Sequence, residues 1–381
     1  MKIIVADFSM TGMAHMYFNG AFLKILSQIY SQPLFFYGEE SHVNYVSQQL
    51  EHFQIKYISY KSKNRLGFGV VFQDISNIHR ICKLLLKSSE NDIIFILNRL
   101  PITLIACNLI NKILKRRVLN ILHGELEYLV NPNMKGGSKY YYKLFKIGYK
   151  LSNNFVSYIF LGESIRKIVI DNNISFGKGK LLSIDHPYDY NSMYFSHNEI
   201  SFPKCKIGII GSAMRRKNSH YIIELAKKCK NSKAIFYITG KVDDYLSNEC
   251  KKLNIHTNAK TQSNDDYIKK NMALDYSLCF YDDKINIALA SGSFFDSIKY
   301  CKPILALGGN PFVDYYFNRL GNIGYRFDNI QEIAEFLNKL SIDEIVKYNN
   351  QVENLKLAQN QLSIDNISSK FKDDLKLNGY D

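Results

Sequence analysis

Residues 274–307 read LDYSLCFYDDKINIALASGSFFDSIKYCKPILAL, and the order of signals in them decides the fold. An apolar run, Tyr276 to Tyr281, ends in an acidic loop. Ser291-Gly292-Ser293 opens a helical stretch, and Lys302-Pro303 leads into a second apolar run, Ile304 to Leu307. Strand, loop, helix, strand is one unit of a parallel α/β sheet, and such sheets bind ligands outside the carboxyl ends of their strands. A glycine between two serines at a helix start offers backbone N–H groups and hydroxyls that suit a phosphate or pyrophosphate. The same serines would serve equally as plain N-caps.

Working outward, the same alternation fills the chain. Strand patterns at 2–6, 33–37, 55–59, 93–97, 117–122 and 155–160 are separated by helical ones at 13–30, 41–51, 71–89, 101–115, 138–152 and 162–171. Residues 185–204 lose the periodicity and read as a linker. A second series starts at Lys206 with strands at 206–211, 234–239 and 255–257 and helices at 219–230, 243–253 and 264–272. Beyond the opening stretch, helices are expected at 310–320, 329–340, 342–357 and 366–376. The expected architecture is α/β, two Rossmann-like domains facing a central cleft. Residues 1–184 form the first domain, 185–204 the linker, 205–340 the second domain, and helices over 341–381 close the chain.

The 381 residues are 46% hydrophobic and carry a net charge of +14, which draws anions: nucleotides, nucleic acid or an acidic membrane face. Seven scattered cysteines without a C-x-x-C pair argue for a reducing compartment and against a zinc site. No apolar run is long enough to span a membrane, so a cytoplasmic location is expected.

Residues 206–218, KIGIIGSAMRRKN, run a strand into Gly211 and then into Arg215, Arg216 and Lys217. At a strand's carboxyl end these cations would face a ligand; as a solvated charge run they would face water. Gly208 and Gly211 do not make the dinucleotide fingerprint.

These two segments resemble the nucleotide-sugar-binding domain of GT-B glycosyltransferases, in particular the large retaining family that builds bacterial surface polysaccharides. That family has a Gly-Arg loop ending in Lys-Gly and then a run like E-G-F-G-x-x-x-x-E-A-x-A-x-G-K-P. Here Gly211 and Lys217 match the first, and Gly292, Asp296, Lys302 and Pro303 the second. The resemblance implies that Lys217, with Arg215 or Arg216, grips the donor's diphosphate. It implies further that Ser291, Gly292 and Ser293 touch the phosphates or sugar, and that Asp296 binds the ribose. The departures are Ser212 in place of the arginine, Asn218 in place of the second glycine, Asp296 for the second Glu and Ala288 for the first.

By the same resemblance, His123, immediately after a strand in Ile121-Leu122-His123-Gly124-Glu125, contacts the donor sugar; a structural histidine is the alternative. The Gly12 loop, with His15 and Asn19 on one face of the next helix, stands where such enzymes admit the acceptor. In 135–151, Lys139, Lys143, Lys146 and Lys150 share one helical face and Tyr140, Leu144, Ile147 and Leu151 another, a pattern that suits either anionic lipid or an ordinary surface helix.

The expected function is sugar transfer from a nucleotide-diphosphate sugar to a carbohydrate or lipid-linked acceptor in surface polysaccharide synthesis, with retention. No cofactor and no metal are expected, since the chain has no D-x-D. A non-catalytic nucleotide-sugar-binding partner and a GT-B-fold nucleotide-sugar epimerase are the alternatives. Nucleic-acid binding is not expected, because the tyrosines and lysines form no recognised module.

Overall fold

A computed structural model describes residues 1–61, 70–131, 141–190, 204–229, 232–257 and 263–381. The chain divides into two compact units. The first comprises Met1–Asp189, Ala288–Ala290 and Leu362–Asp381; the second comprises Tyr190–Ile287 and Ser291–Gln361.

In the first unit the described residues form a parallel sheet ordered β3-β2-β1-β4-β5-β6-β7. Its strands are β1 Ile3–Asp7, β2 Leu34–Glu39, β3 Ile55–Tyr60, β4 Ile93–Asn98, β5 Arg117–Leu122, β6 Val156–Phe160 and β7 Lys180–Ser183. The helices between them are α1 Met16–Ile29, α2 Glu40–Ser47, α3 Val70–Lys87, α4 Pro101–Leu114, α5 Glu125–Val130, α6 Leu144–Lys150 and α7 Glu163–Asp171. The central strands β1, β4, β5 and β6 are apolar on both faces because helices cover both sides, as parallel sheets require. One side packs Phe22, Leu26, Phe95 and Ile121; the other packs Ile81, Leu85, Ile96 and Cys107.

The second unit holds a parallel sheet ordered β12-β11-β10-β8-β9. Its strands are β8 Lys206–Ile209, β9 Ile235–Ile238, β10 Tyr276–Cys279, β11 Ile304–Leu307 and β12 Gly324–Phe327. Its helices are α8 Tyr221–Lys228, α9 Asp244–Lys252, α10 Asn264–Met272, α11 Gly292–Lys299, α12 Pro311–Leu320, α13 Ile330–Asn338 and α14 Ile345–Gln361. Strand order reverses between β8 and β10, which makes the carboxyl ends of those two strands a topological switch point.

Several expectations change. Helix α1 starts at Met16 rather than at 13, because His15 takes a left-handed conformation, φ 58°. The strand expected near 255–257 is a single bridge, Tyr237 to His256. The short edge strands β7 and β12 and helix α5 were not expected. The chain's last described helix, α15 Ile364–Leu377, belongs to the first unit, where Phe371 packs 6.5 Å from Phe22. It is therefore no separate closing element. Of the expected linker, residues 191–203 lie outside the described residues, as does Lys139.

Candidate active site

The switch point of the second unit carries a pocket. Ile209 and Ile210 enter it from the end of β8, Phe280 and Tyr281 from the end of β10, and Ser291 and Ser293 from the start of α11. Ser291 is the N-cap: its hydroxyl accepts from Phe294 N–H and pairs with the Tyr281 hydroxyl at 2.8 Å. The Gly292 and Ser293 amides, by position, have no intrahelical acceptor. Both readings of the serine step are thus present together: Ser291 caps, and two further N–H groups stand at the positive end of the helix dipole.

Lys217 completes this pocket. Its ammonium donates to the Ser293 hydroxyl at 3.1 Å. Burial pushes its pKa down, Arg216 beside it pushes the same way, and Asp296 opposes them weakly. A desolvated cation with a hydroxyl for company is short of negative charge, which an anion would supply. Arg215, Arg216 and Lys217 precede α8, as the sequence suggested, and form their own 3-10 turn, closed by Asn218 in the left-handed region, φ 53°. That conformation explains the departure at 218, since asparagine tolerates it where most residues do not. The Asn218 amide ties the turn to Phe280 O and Asp282 Oδ2. Arg216 lies on the Tyr281 side of the turn, while Arg215 influences His220 and Tyr245. Of the two arginines, 216 is the one whose charge acts on residues lining the pocket, Lys217 and Tyr281.

Asp296 accepts from the Tyr267 hydroxyl at 2.9 Å, a partner that the sequence reading did not include. Gly211, φ 79°, passes the Ser293 hydroxyl, with Ser212 next in the turn; its N–H donates to Thr239 Oγ1. Gly240 was also missed. A Cβ there would lie 2.3 Å from the Gly211 carbonyl carbon, so only glycine allows the two loops to cross. Residue 288, where the resembled family carries its first Glu, is a buried alanine whose N–H donates to Glu127 Oε2 at 2.9 Å.

The first unit gathers a different set. His123 follows β5, and its own N–H donates to Glu125 Oε2. Its ring lies 5.1 Å from His15 and 4.8 Å from Phe18, and the His186 ring lies 5.3 Å from Phe18. Burial, then the neighbouring imidazoles, hold the His123 pKa well below its usual value. His15 is lowered for the same first reason, and His186 to about 3. Each shift favours the neutral imidazole. His123 is bonded to the Leu97 carbonyl. Since Nε2 is buried and has no partner among the described residues, Nδ1–H makes that bond and Nε2 presents a lone pair. A neutral acceptor of this kind suits a sugar hydroxyl.

Asn19 sits elsewhere. It is fully buried, and its amide nitrogen contacts Asp7 Oδ2 at 2.9 Å and His42 Nε2 at 2.7 Å. It braces the end of β1 and does not share an open face with His15. Gly12 is fastened on both sides: its N–H donates to the Ser41 hydroxyl and its carbonyl accepts from His42 Nδ1. On α6, Lys146 and Lys150 are exposed, with Lys143 just before them. Ile147 is 51% exposed among these lysines, while Phe145 and Tyr149 make the buried face. The apolar face is thus not the one containing Ile147. Among the described residues no helix is long and apolar enough to cross a membrane, and none of their His, Cys, Asp and Glu side chains form a metal-holding group.

No family model and no curated protein matches the sequence. Solved structures do match the fold. The structure of Anabaena HepE in complex with UDP aligns at a TM-score of 0.69 and 14% identity, covering 99% of this chain and 100% of that one. TarM aligns at 0.66 and 12%, covering 99% and 98%. WaaG, a glycosyltransferase involved in lipopolysaccharide biosynthesis, aligns at 0.62 and 13%, covering 98% and 99%. Two parallel-sheet α/β units in this order are the GT-B fold, and this chain has it.

Proposed function

We propose that the chain is a glycosyltransferase that takes its sugar from a nucleoside-diphosphate sugar. The observation that carries this reading is Lys217, desolvated at a topological switch point and donating to the hydroxyl of Ser293 in the first turn of α11. The diphosphate would take the Lys217 ammonium, Arg216 and the Gly292 and Ser293 amides, which stabilise the leaving group's charge as it develops. Asp296, set by Tyr267, would take the ribose. His123 Nε2 would accept a hydroxyl of the transferred sugar. UDP and UDP-glucose in the HepE structures support a uridine nucleotide as the first to try. Transfer with retention, and a carbohydrate or lipid-linked acceptor of surface polysaccharide synthesis, rest on the resemblance; the involvement of WaaG in lipopolysaccharide biosynthesis supports the pathway. The exposed Lys143, Lys146 and Lys150 support contact with an anionic membrane face.

The test is a metal-free calorimetric titration of UDP, GDP, ADP and dTDP against the protein and its Lys217→Ala and Asp296→Ala variants. A charge-assisted hydrogen bond is worth about 1.5–3 kcal/mol, so the best diphosphate should bind about 10–150-fold more weakly to Lys217→Ala. Equal binding by the variant removes the site. Ala288 supports a second reading, a nucleotide-sugar binder without transfer. Tight binding with neither transfer nor hydrolysis of the donor would favour it.

A further inference from the structure

Arg99 follows β4 and is only 4% exposed, yet none of its three side-chain nitrogens has a hydrogen-bond partner among the described residues. It is not alone. Its guanidinium carbon lies 5.5 Å from the ring of Tyr158 on β6. Asn120 on β5 pairs with Tyr158 in the sheet register, so the two side chains leave the same face. Asn120 is fully buried, and both its amide atoms lack partners. The Tyr149 ring of α6 lies 5.1 Å from that of Tyr158, and its buried hydroxyl is also unpartnered. Three elements thus bring a guanidinium, an amide and a phenol to one enclosed place, all with unspent donors.

An unpaired buried cation costs several kcal/mol, and water can hydrate it without neutralising it. Glu125 is the neighbouring acid, but its Oε2 is engaged by the His123 N–H. Burial raises its pKa and the Arg99 charge opposes that, yet no oxygen of Glu125 reaches hydrogen-bond distance of the guanidinium. His123, Gly124 and Glu125 form a half-exposed rim just beyond Asn120 in the chain.

We propose that Arg99, Asn120 and Tyr149 form a binding site for one oxyanion, a phosphate or a carboxylate, within the first unit. The planar guanidinium offers paired N–H groups that match either anion, and Asn120 and Tyr149 add a donor each. The anion is either free or the acid group of a sugar whose ring rests at the rim. The site is separate from the diphosphate pocket, and its occupancy does not depend on the nucleotide-sugar reading.

The experiment measures thermal unfolding and calorimetric binding of the full chain with inorganic phosphate, glucuronate and glucose at fixed ionic strength. Wild type is compared with Arg99→Met and Tyr149→Phe. Phosphate or glucuronate at a hundredfold excess over Kd should raise Tm by about 5 °C, glucose should not, and Arg99→Met should show no shift. Glucuronate binding above phosphate places the acid on a sugar; phosphate alone identifies a free anion. Tyr149→Phe should fold and bind about fivefold more weakly, which keeps the test open should Arg99→Met fail to fold. Absence of binding by both anions, or equal binding by the variants, overturns the site and leaves a water-filled polar cluster.

Discussion

The carboxyl edges of the two sheets present different groups to a ligand. In the second unit the edge holds a lysine and an arginine beside a helix N-terminus, with Lys217 kept partly desolvated. In the first unit three imidazoles gather there, each pushed toward the neutral form by burial, with the Arg99 guanidinium behind them. Fixed positive charge at one edge suits a diphosphate. Neutral ring nitrogens at the other suit hydroxyl groups, which a cation would bind less selectively. On the proposed function, the first edge would hold the leaving group and the second would read the sugar.

The largest effect is expected at the loop crossing that shapes the cationic edge. Gly240→Ala puts a methyl into the Gly211 backbone. It should cost about 3 kcal/mol, seen as a lower Tm, and should abolish diphosphate binding by displacing Gly211. Unchanged binding would show that the crossing does not position the pocket. Next comes His123→Ala, which should lower transfer about 100-fold with nucleotide affinity unchanged. With the imidazole pKa values lowered, the wild-type rate should stay flat from pH 6 to 8 as far as these groups are concerned. A fall below pH 7 that is lost in His123→Ala would mean that the ring titrates there, which would undo the neutral-edge assignment. The smallest effect is expected at Lys146→Gln, a loss of about 1 kcal/mol in binding to vesicles rich in anionic lipid. No loss would make α6 an ordinary surface helix.

The parallel sheets were legible because strands such as Ile93–Leu97 and Ile304–Leu307 are uninterrupted apolar runs between helical periods. The edge strands β3 and β9 were legible too, but β7 and β12 were not: Gly324–Phe327 is only partly buried and too short to show a period. Helix α15 was legible as a helix, but an amphipathic face says that it packs and not against what. The same limit governs the sites. Lys217 and Ser293 could be paired because strand ends are identifiable in sequence. Asn19 misled, because a polar residue among apolar ones reads as a contact for ligand when here it braces Asp7. Arg99 and Asn120 gave no signal, since the register that unites them is set by three strands distant in sequence.

Helix α15 has a further consequence. It completes the core of the first unit, yet it follows every residue of the second in the chain. During synthesis the second unit is therefore fully made while Phe22 and Leu26 still lack the wall that Phe371 and Leu375 provide. The unit translated first is the one whose core is finished last, and its exposed apolar face must wait, unaggregated, until helix α15 has been made.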